Sequence, residues 1–202
     1  LFGWYLTHEM NDLKRAGAYY NPLALYCKSL APEKPVLVAP AGTPIVTHSL
    51  LASSAVDIFA YQDAVGAGYV PYKNTFQPNK RIATLDGIFA KYRALHKDTG
   101  KHLWADLEIW EMDGTHNYGG AYPAAFERVK RQIEIESRHA GMLTGYSYHG
   151  YLQAPNAGSE KPDAQARKLF EEYAAYLEEQ KPFESRSNVL GQNAAQTSEN
   201  LP

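Results

Sequence analysis

Three carboxylates and two indoles lie close together in HLWADLEIWEM, residues 102–112. In an extended chain Leu103, Ala105, Leu107 and Ile109 fall on one face, and Trp104, Asp106, Glu108 and Trp110 on the other. On a parallel strand covered by helices the aliphatic set would pack under the helices, and the acids and indoles would point into whatever the sheet encloses. Carboxylates are seldom buried without a task or a partner. Indoles beside acids at the C-terminal end of a strand fit sugar chemistry: the ring gives a flat apolar platform, and a carboxylate can bond hydroxyls or move a proton. The competing role for these acids is ion pairing with buried Arg or Lys in a core strand.

Similar groups recur at the ends of other strand-like runs. Glu9 follows LFGWYLT in the polar stretch HEMND; if Gly3, Tyr5, Thr7 and Glu9 share a face, Trp4 and Leu6 pack outward and Glu9 faces inward. Tyr61, Gln62 and Asp63 end DIFAYQD, Glu111 follows Trp110, and Tyr146, Tyr148 and His149 end a run near the C-terminus. The spacing of His8, His116 and His149 matches no metal motif, so neither a metal nor another cofactor is expected. There is no GxGxxG after a strand and no GxxxxGK[ST], so the phosphate signals of open doubly wound sheets are missing. No predicted strand ends in Lys, which argues against a Schiff-base lyase or aldolase.

Five strands must position these groups: residues 1–7, 35–40, 57–63, 102–112 and 142–148. Helices are expected over 21–31, with Pro22 in the first turn after an Asn21 cap, and over 48–55, 80–97, 123–139 and 164–179. Strand and helix alternate five times with no hairpin signal between strands, the βαβ pattern of a parallel sheet. The loop over 64–77 is longer than a connector needs and is expected to form part of a binding face. Residues 1–181 read as the globular unit and 182–202, rich in Ser, Asn, Gln and Glu, as a disordered tail. A net charge of -2 with interspersed signs offers no footprint for nucleic acid, and no apolar run reaches membrane-spanning length. The single Cys27 excludes an internal disulfide and is expected on the buried side of a helix. The chain opens on a strand without an initiator Met or signal peptide, as a processed or truncated piece would.

Functional groups at successive strand ends suit a (β/α)8 TIM-barrel fold, of which five βα units would be a portion. GWYLTHEMND, PVLVAPAG, DIFAYQDAVGAG, LWADLEIWE and YSYHGY resemble, in this order, the later strands of the bacterial family catalogued as domain of unknown function 4434, which is similar to glycoside-hydrolase barrels. The resemblance runs over residues 1–177. It implies that the chain carries strands four to eight and that strands one to three, roughly a hundred residues, are absent. A second chain or a missing N-terminal segment would then complete the barrel and cover its open edges.

The resemblance also implies an activity, hydrolysis of a polysaccharide by two carboxylates, with Glu9 as acid/base ending strand four and Glu108 as nucleophile ending strand seven. His8 stands where that clan usually has Asn before its acid/base, a departure that leaves Asp12 or Glu111 as substitutes. Tyr146 or Tyr148 would hold Glu108 ionised. Trp104, Trp110 and Tyr61 would stack on sugar rings, while Gln62, Asp63 and His149 would bond hydroxyls. The alternative is a non-catalytic carbohydrate-binding or structural barrel protein. By analogy with such proteins, a secreted or periplasmic location is expected.

Overall fold

The structure, a computed structural model, describes residues 2–10, 12–41, 46–70, 75–76, 81–112, 120–152, 154 and 164–180. In chain order its elements are β1 Trp4–Leu6, α1 Leu13–Leu30, β2 Val36–Val38, α2 His48–Ala52, β3 Ile58–Gln62, β4 Tyr69–Val70, β5 Thr75–Phe76 and α3 Ile82–His96. There follow β6 His102–Glu108, β7 Trp110–Met112, β8 Ala121–Pro123, α4 Phe126–Glu136, β9 Met142–Tyr146, α5 Tyr148–Tyr151 and α6 Ala164–Gln180. Strands β1, β2, β3, β6 and β9 pair in that order, all parallel, and curl into half of a barrel wall.

The two faces of this sheet separate by residue parity. Val36, Val38, Phe59, Tyr61, Leu103, Ala105 and Leu107 are buried and join one core with residues of the covering helices. The α3 residues Leu85, Phe89, Tyr92 and His96 recur at helical spacing and are all buried. Phe89 is fully buried, which stabilises the fold by roughly 1.5–3 kcal/mol relative to an exposed ring. Gly100, at φ +70°, turns the chain after α3 in a conformation that favours glycine. At the opposite end of the sheet from Glu108, Asp57 accepts from the Val36 N–H at 2.8 Å and from Lys28 Nζ at 2.6 Å, tying α1 to β2 and β3.

The other face is concave and only partly open. Tyr5, Leu37, Ala60, Trp104 and Met142 share it through the strand register, with Gln62, Asp106 and Thr144 one step further along. Tyr5 is 50% exposed, Met142 48% and Tyr146 62%.

Several boundaries differ from the sequence reading. Helix α1 starts at Leu13, so Pro22 lies in its interior and Asn21 caps nothing. Ala16, Tyr20 and Ala24 form a buried stripe that holds this helix on the sheet, and Asn21 instead accepts from the Ala55 N–H at 2.9 Å. Cys27 is half-buried against the core. Two antiparallel hairpins occur where none was expected, β4 with β5 and β7 with β8. The second interrupts the long strand expected over 102–112, and Pro123 ends β8 instead of starting a helix, so α4 begins at Phe126. The tail expected over 182–202 lies outside the described residues, as do parts of the 64–77 loop. No helix among the described residues is long and apolar enough to cross a membrane.

Candidate active site

Glu108 is the last residue of β6, and the register places it beside Tyr146 on the concave face. The turn at Val65–Ala67 closes over it. A Cβ on Gly66 would stand 3.1 Å from the Glu108 Cβ and would run into the Trp110 carbonyl oxygen, so only glycine fits there. The Ala67 N–H donates to Glu108 Oε2 at 2.6 Å, and the side chain is left 8% exposed. Burial pushes its pKa up to about 8, with the neighbouring Asp63 adding to the rise and the Ala67 N–H, Arg128 and Arg81 opposing it. Glu108 is therefore mostly protonated at neutral pH.

Asp106 lies one step lower on the same face, between Gln62 of β3 and Thr144 of β9. Thr144 donates its hydroxyl to Asp106 Oδ1 at 3.0 Å. Burial pushes Asp106 up to about 6, Asp63 and Glu9 push the same way, and the Thr144 hydroxyl opposes them. Tyr5 is pushed up to about 12, first by burial and then by Asp106, Glu9, Tyr20 and Tyr146. Tyr5, Asp106 and Glu9 thus feel one another's charge. Glu9 itself is exposed, in the segment after β1, and Tyr20 of α1 donates its hydroxyl to the carbonyl of the preceding His8. Trp104 is half-buried on the concave face, its ring centroid 5.8 Å from that of Phe2.

The strand register thus brings Gln62, Trp104, Asp106, Glu108 and Tyr146 of the expected site residues to one face, Glu9 lies in the segment after β1, and other expected residues lie elsewhere. Tyr61 faces the helices, fully buried, stacked on Tyr92 at 4.0 Å and bonded to His96 Nε2 at 2.9 Å; it is no sugar platform. Asp63 is fully buried behind the sheet, where it accepts from the Val65 N–H, the Glu108 N–H and Gln132, so it cannot bond a sugar. Trp110 belongs to β7, not to the end of β6, and its ring centroid lies 6.3 Å from that of Tyr151. Glu111 sits 3.9 Å from Arg128, as an ion-paired acid. Tyr148 starts α5 instead of ending a strand, and its oxygen accepts from the Ala154 N–H at 3.3 Å. Tyr146 or Tyr148 was expected to hold Glu108 ionised; the Ala67 N–H bonds its carboxylate, and burial works against the ionised form. The side chain of His149, and all of His116, lie outside the described residues. Among the described residues no three His, Cys, Asp or Glu side chains come together to hold a metal.

Tyr5 and Thr144 were missed as contributors. Parity was the available signal, since Tyr5 alternates in step with Glu9 and Thr144 with Tyr146. Arg128 and Gln132 of α4 were missed as well. Arg128 donates to the Glu108 carbonyl at 3.1 Å and to the Trp110 carbonyl at 2.5 Å, clamping the backbone at the end of β6.

Comparison with solved structures shows that this fold recurs in another protein. A "putative alpha-L-fucosidase" from Bacteroides thetaiotaomicron VPI-5482 superposes with a TM-score of 0.65 at 17% identity, over 87% of this chain and 56% of that one. A Bifidobacterium dentium beta-glucuronidase, solved with coumarin-3-O-glucuronide, gives a TM-score of 0.42 at 13% identity, over 80% of this chain and 27% of that one. The chain therefore spans little more than half the length of the first and about a quarter of the second. No curated protein sequence matches it. The model of the domain of unknown function DUF4434 matches residues 1–159, and the chain belongs to that family.

Proposed function

We propose that this chain supplies strands four to eight of a (β/α)8 barrel that binds a carbohydrate across its concave face and hydrolyses a glycosidic bond with two carboxyl groups. The observation that carries the reading is Glu108, a buried acid at a strand end that holds its proton to about pH 8 beside an exposed tyrosine. A protonated carboxyl is what the leaving oxygen needs. Glu108 would give its proton to that oxygen as the C1–O bond breaks, and a carboxylate across the sugar, Glu9, would attack C1 or take a proton from the attacking water. These roles reverse those implied by strand count alone. Trp104, Tyr5 and Tyr146 supply stacking surface, and Gln62 and Asp106 bond hydroxyls. The barrel would be closed by a preceding segment or a second chain, and the protein would work outside the cytoplasm.

The test is turnover of a panel of aryl glycosides, the α-L-fucoside included, by the full-length gene product and by Glu108→Gln and Glu9→Gln. Each substitution is expected to lower kcat/KM by about 10²-fold or more. The cover that the Gly66–Ala67 turn places over Glu108 favours a second reading, a barrel that binds carbohydrate without cleaving it. Oligosaccharide binding that requires Trp104, with no hydrolysis of any glycoside by the parent protein, would establish that second reading.

A further inference from the structure

Behind Glu108, between the sheet and α4, lies a second pair of acids that the site does not expose. Asp63 follows β3 and Glu136 ends α4, and both are wholly buried. Their hydrogen-bond donors are divided unequally. Asp63 Oδ1 accepts from the Val65 N–H at 2.9 Å and the Glu108 N–H at 3.3 Å, and Asp63 Oδ2 accepts from Gln132 Nε2. Neither carboxyl oxygen of Glu136 meets a donor among the described residues. Two acids facing each other away from water hold one negative charge between them, and it settles where the donors are. Burial favours the neutral form of both acids, but the Val65 N–H, Gln132 and the Glu108 N–H oppose it at Asp63, whereas the bond to Asp63 raises Glu136 further; the charge therefore belongs on Asp63 before Glu136.

We propose that Asp63 is a positioning residue for Glu108: from behind the sheet its side chain anchors the Glu108 backbone N–H and sets a negative charge next to the Glu108 carboxyl, and Gln132 fixes that charge on Asp63 instead of on Glu136. The geometry is independent of any substrate, but its use in catalysis rests on the reading of Glu108 as the proton donor. Other charges face this cluster. Arg81, before α3, donates to the Asp63 carbonyl at 2.5 Å, and Arg128 of α4 is shared with Glu111 and the end of β6. Asp106 lies on the concave side of β6. The two guanidiniums oppose the rise at Glu108, and Asp63 is the largest charge raising it.

The experiment is a carbon-13 NMR titration of the Glu108 carboxyl, identified by its loss in Glu108→Gln. In Asp63→Asn the midpoint should fall by about one pH unit or more, whereas in Glu136→Gln, which replaces one neutral group by another, it should stay within about 0.3 unit. Gln132→Met, which removes a donor from Asp63, should also lower it and serves if Asp63→Asn does not fold. An unmoved midpoint in the folded Asp63 or Gln132 variant overturns the proposal, and so does an equal shift in Glu136→Gln, which would put the charge on Glu136. Neither readout needs turnover. An inactive parent whose Glu108 shifts as stated would sink the hydrolase reading and leave this network standing, while an active parent with an unmoved midpoint would do the reverse.

Discussion

Glu108→Gln is expected to stabilise the fold at neutral pH while removing activity. An ordinary glutamate releases its proton near 4.5, and in the folded chain burial holds Glu108 up to about 8. Below 4.5 the folded and unfolded states both carry the proton, so this group adds no pH dependence. Between 4.5 and about 8 only the folded state carries it; unfolding then releases a proton, and stability falls by ~1.4 kcal/mol for each pH unit. Above about 8 both states are ionised and the penalty stops growing. Two units, from pH 5 to pH 7, therefore cost the parent protein ~3 kcal/mol through this residue. That is a large share of the roughly 5–15 kcal/mol that holds a domain together.

Glutamine does not titrate, and its carbonyl oxygen can still accept from the Ala67 N–H. The charges around the site, on Asp63, Arg81 and Arg128, are common to both proteins, so the difference between them isolates Glu108. Urea unfolding followed by circular dichroism at pH 5, 6 and 7 measures it. The stability of the variant relative to the parent should rise by ~3 kcal/mol across that range. Parallel curves for the two proteins would show that Glu108 titrates alike folded and unfolded, and the argument for a resident proton donor would fail. A side chain whose removal strengthens the fold fits the proton-donor role proposed for Glu108.

Three further outcomes are expected. Gly66→Ala places a methyl against the Trp110 carbonyl and the Glu108 Cβ, so the turn must lift; a loss of about 1–3 kcal/mol in thermal or urea unfolding is expected, and parental stability would mean that the turn does not clasp Glu108. Tyr61→Phe forfeits the bond to His96 and should cost on the order of 1 kcal/mol without touching carbohydrate affinity, because the ring faces the helices; weaker sugar binding by calorimetry would return Tyr61 to the site. Trp104→Ala should do the opposite, losing ~1 kcal/mol or more of carbohydrate binding, several-fold in Kd, with little change in melting temperature. Undiminished affinity would take the concave face out of sugar recognition.

The strand at residues 102–108 was legible because its two faces differ in chemistry, aliphatic on one and aromatic or acidic on the other, so period two was plain. DIFAYQD offered no such contrast. Four residues of β3, from Ile58 to Tyr61, are buried, and a run apolar on both faces carries no parity of its own. Its orientation comes from the neighbour: Ala60 pairs with Trp104 and Gln62 with Asp106, which turns Gln62 to the concave face and sends Tyr61 and Asp63 behind the sheet. Asn21-Pro22 looked like a helix start because local chemistry allows it there, but the buried stripe of Ala16, Tyr20 and Ala24 pulls an earlier stretch onto the sheet and overrides it.

The buried network was hidden for a different reason. Gln132 and Glu136 are four residues apart on α4, and in a sequence such a pair reads as the solvated face of an amphipathic helix. The apolar Val129 and Ile135 lie on the same buried surface, so the helix packs polar and apolar groups against the sheet together. That is tolerable only where something on the sheet accepts the amide proton and shares the acid, and Asp63 at the end of β3 does both. The partner is 69 residues away from Gln132, out of reach of any local pattern. A strand that ends in a buried acid, opposite a helix that turns polar groups inward, spends stability at that spot. The adjoining residue on the concave face is Glu108, so the cost falls where a reacting proton would have to be held.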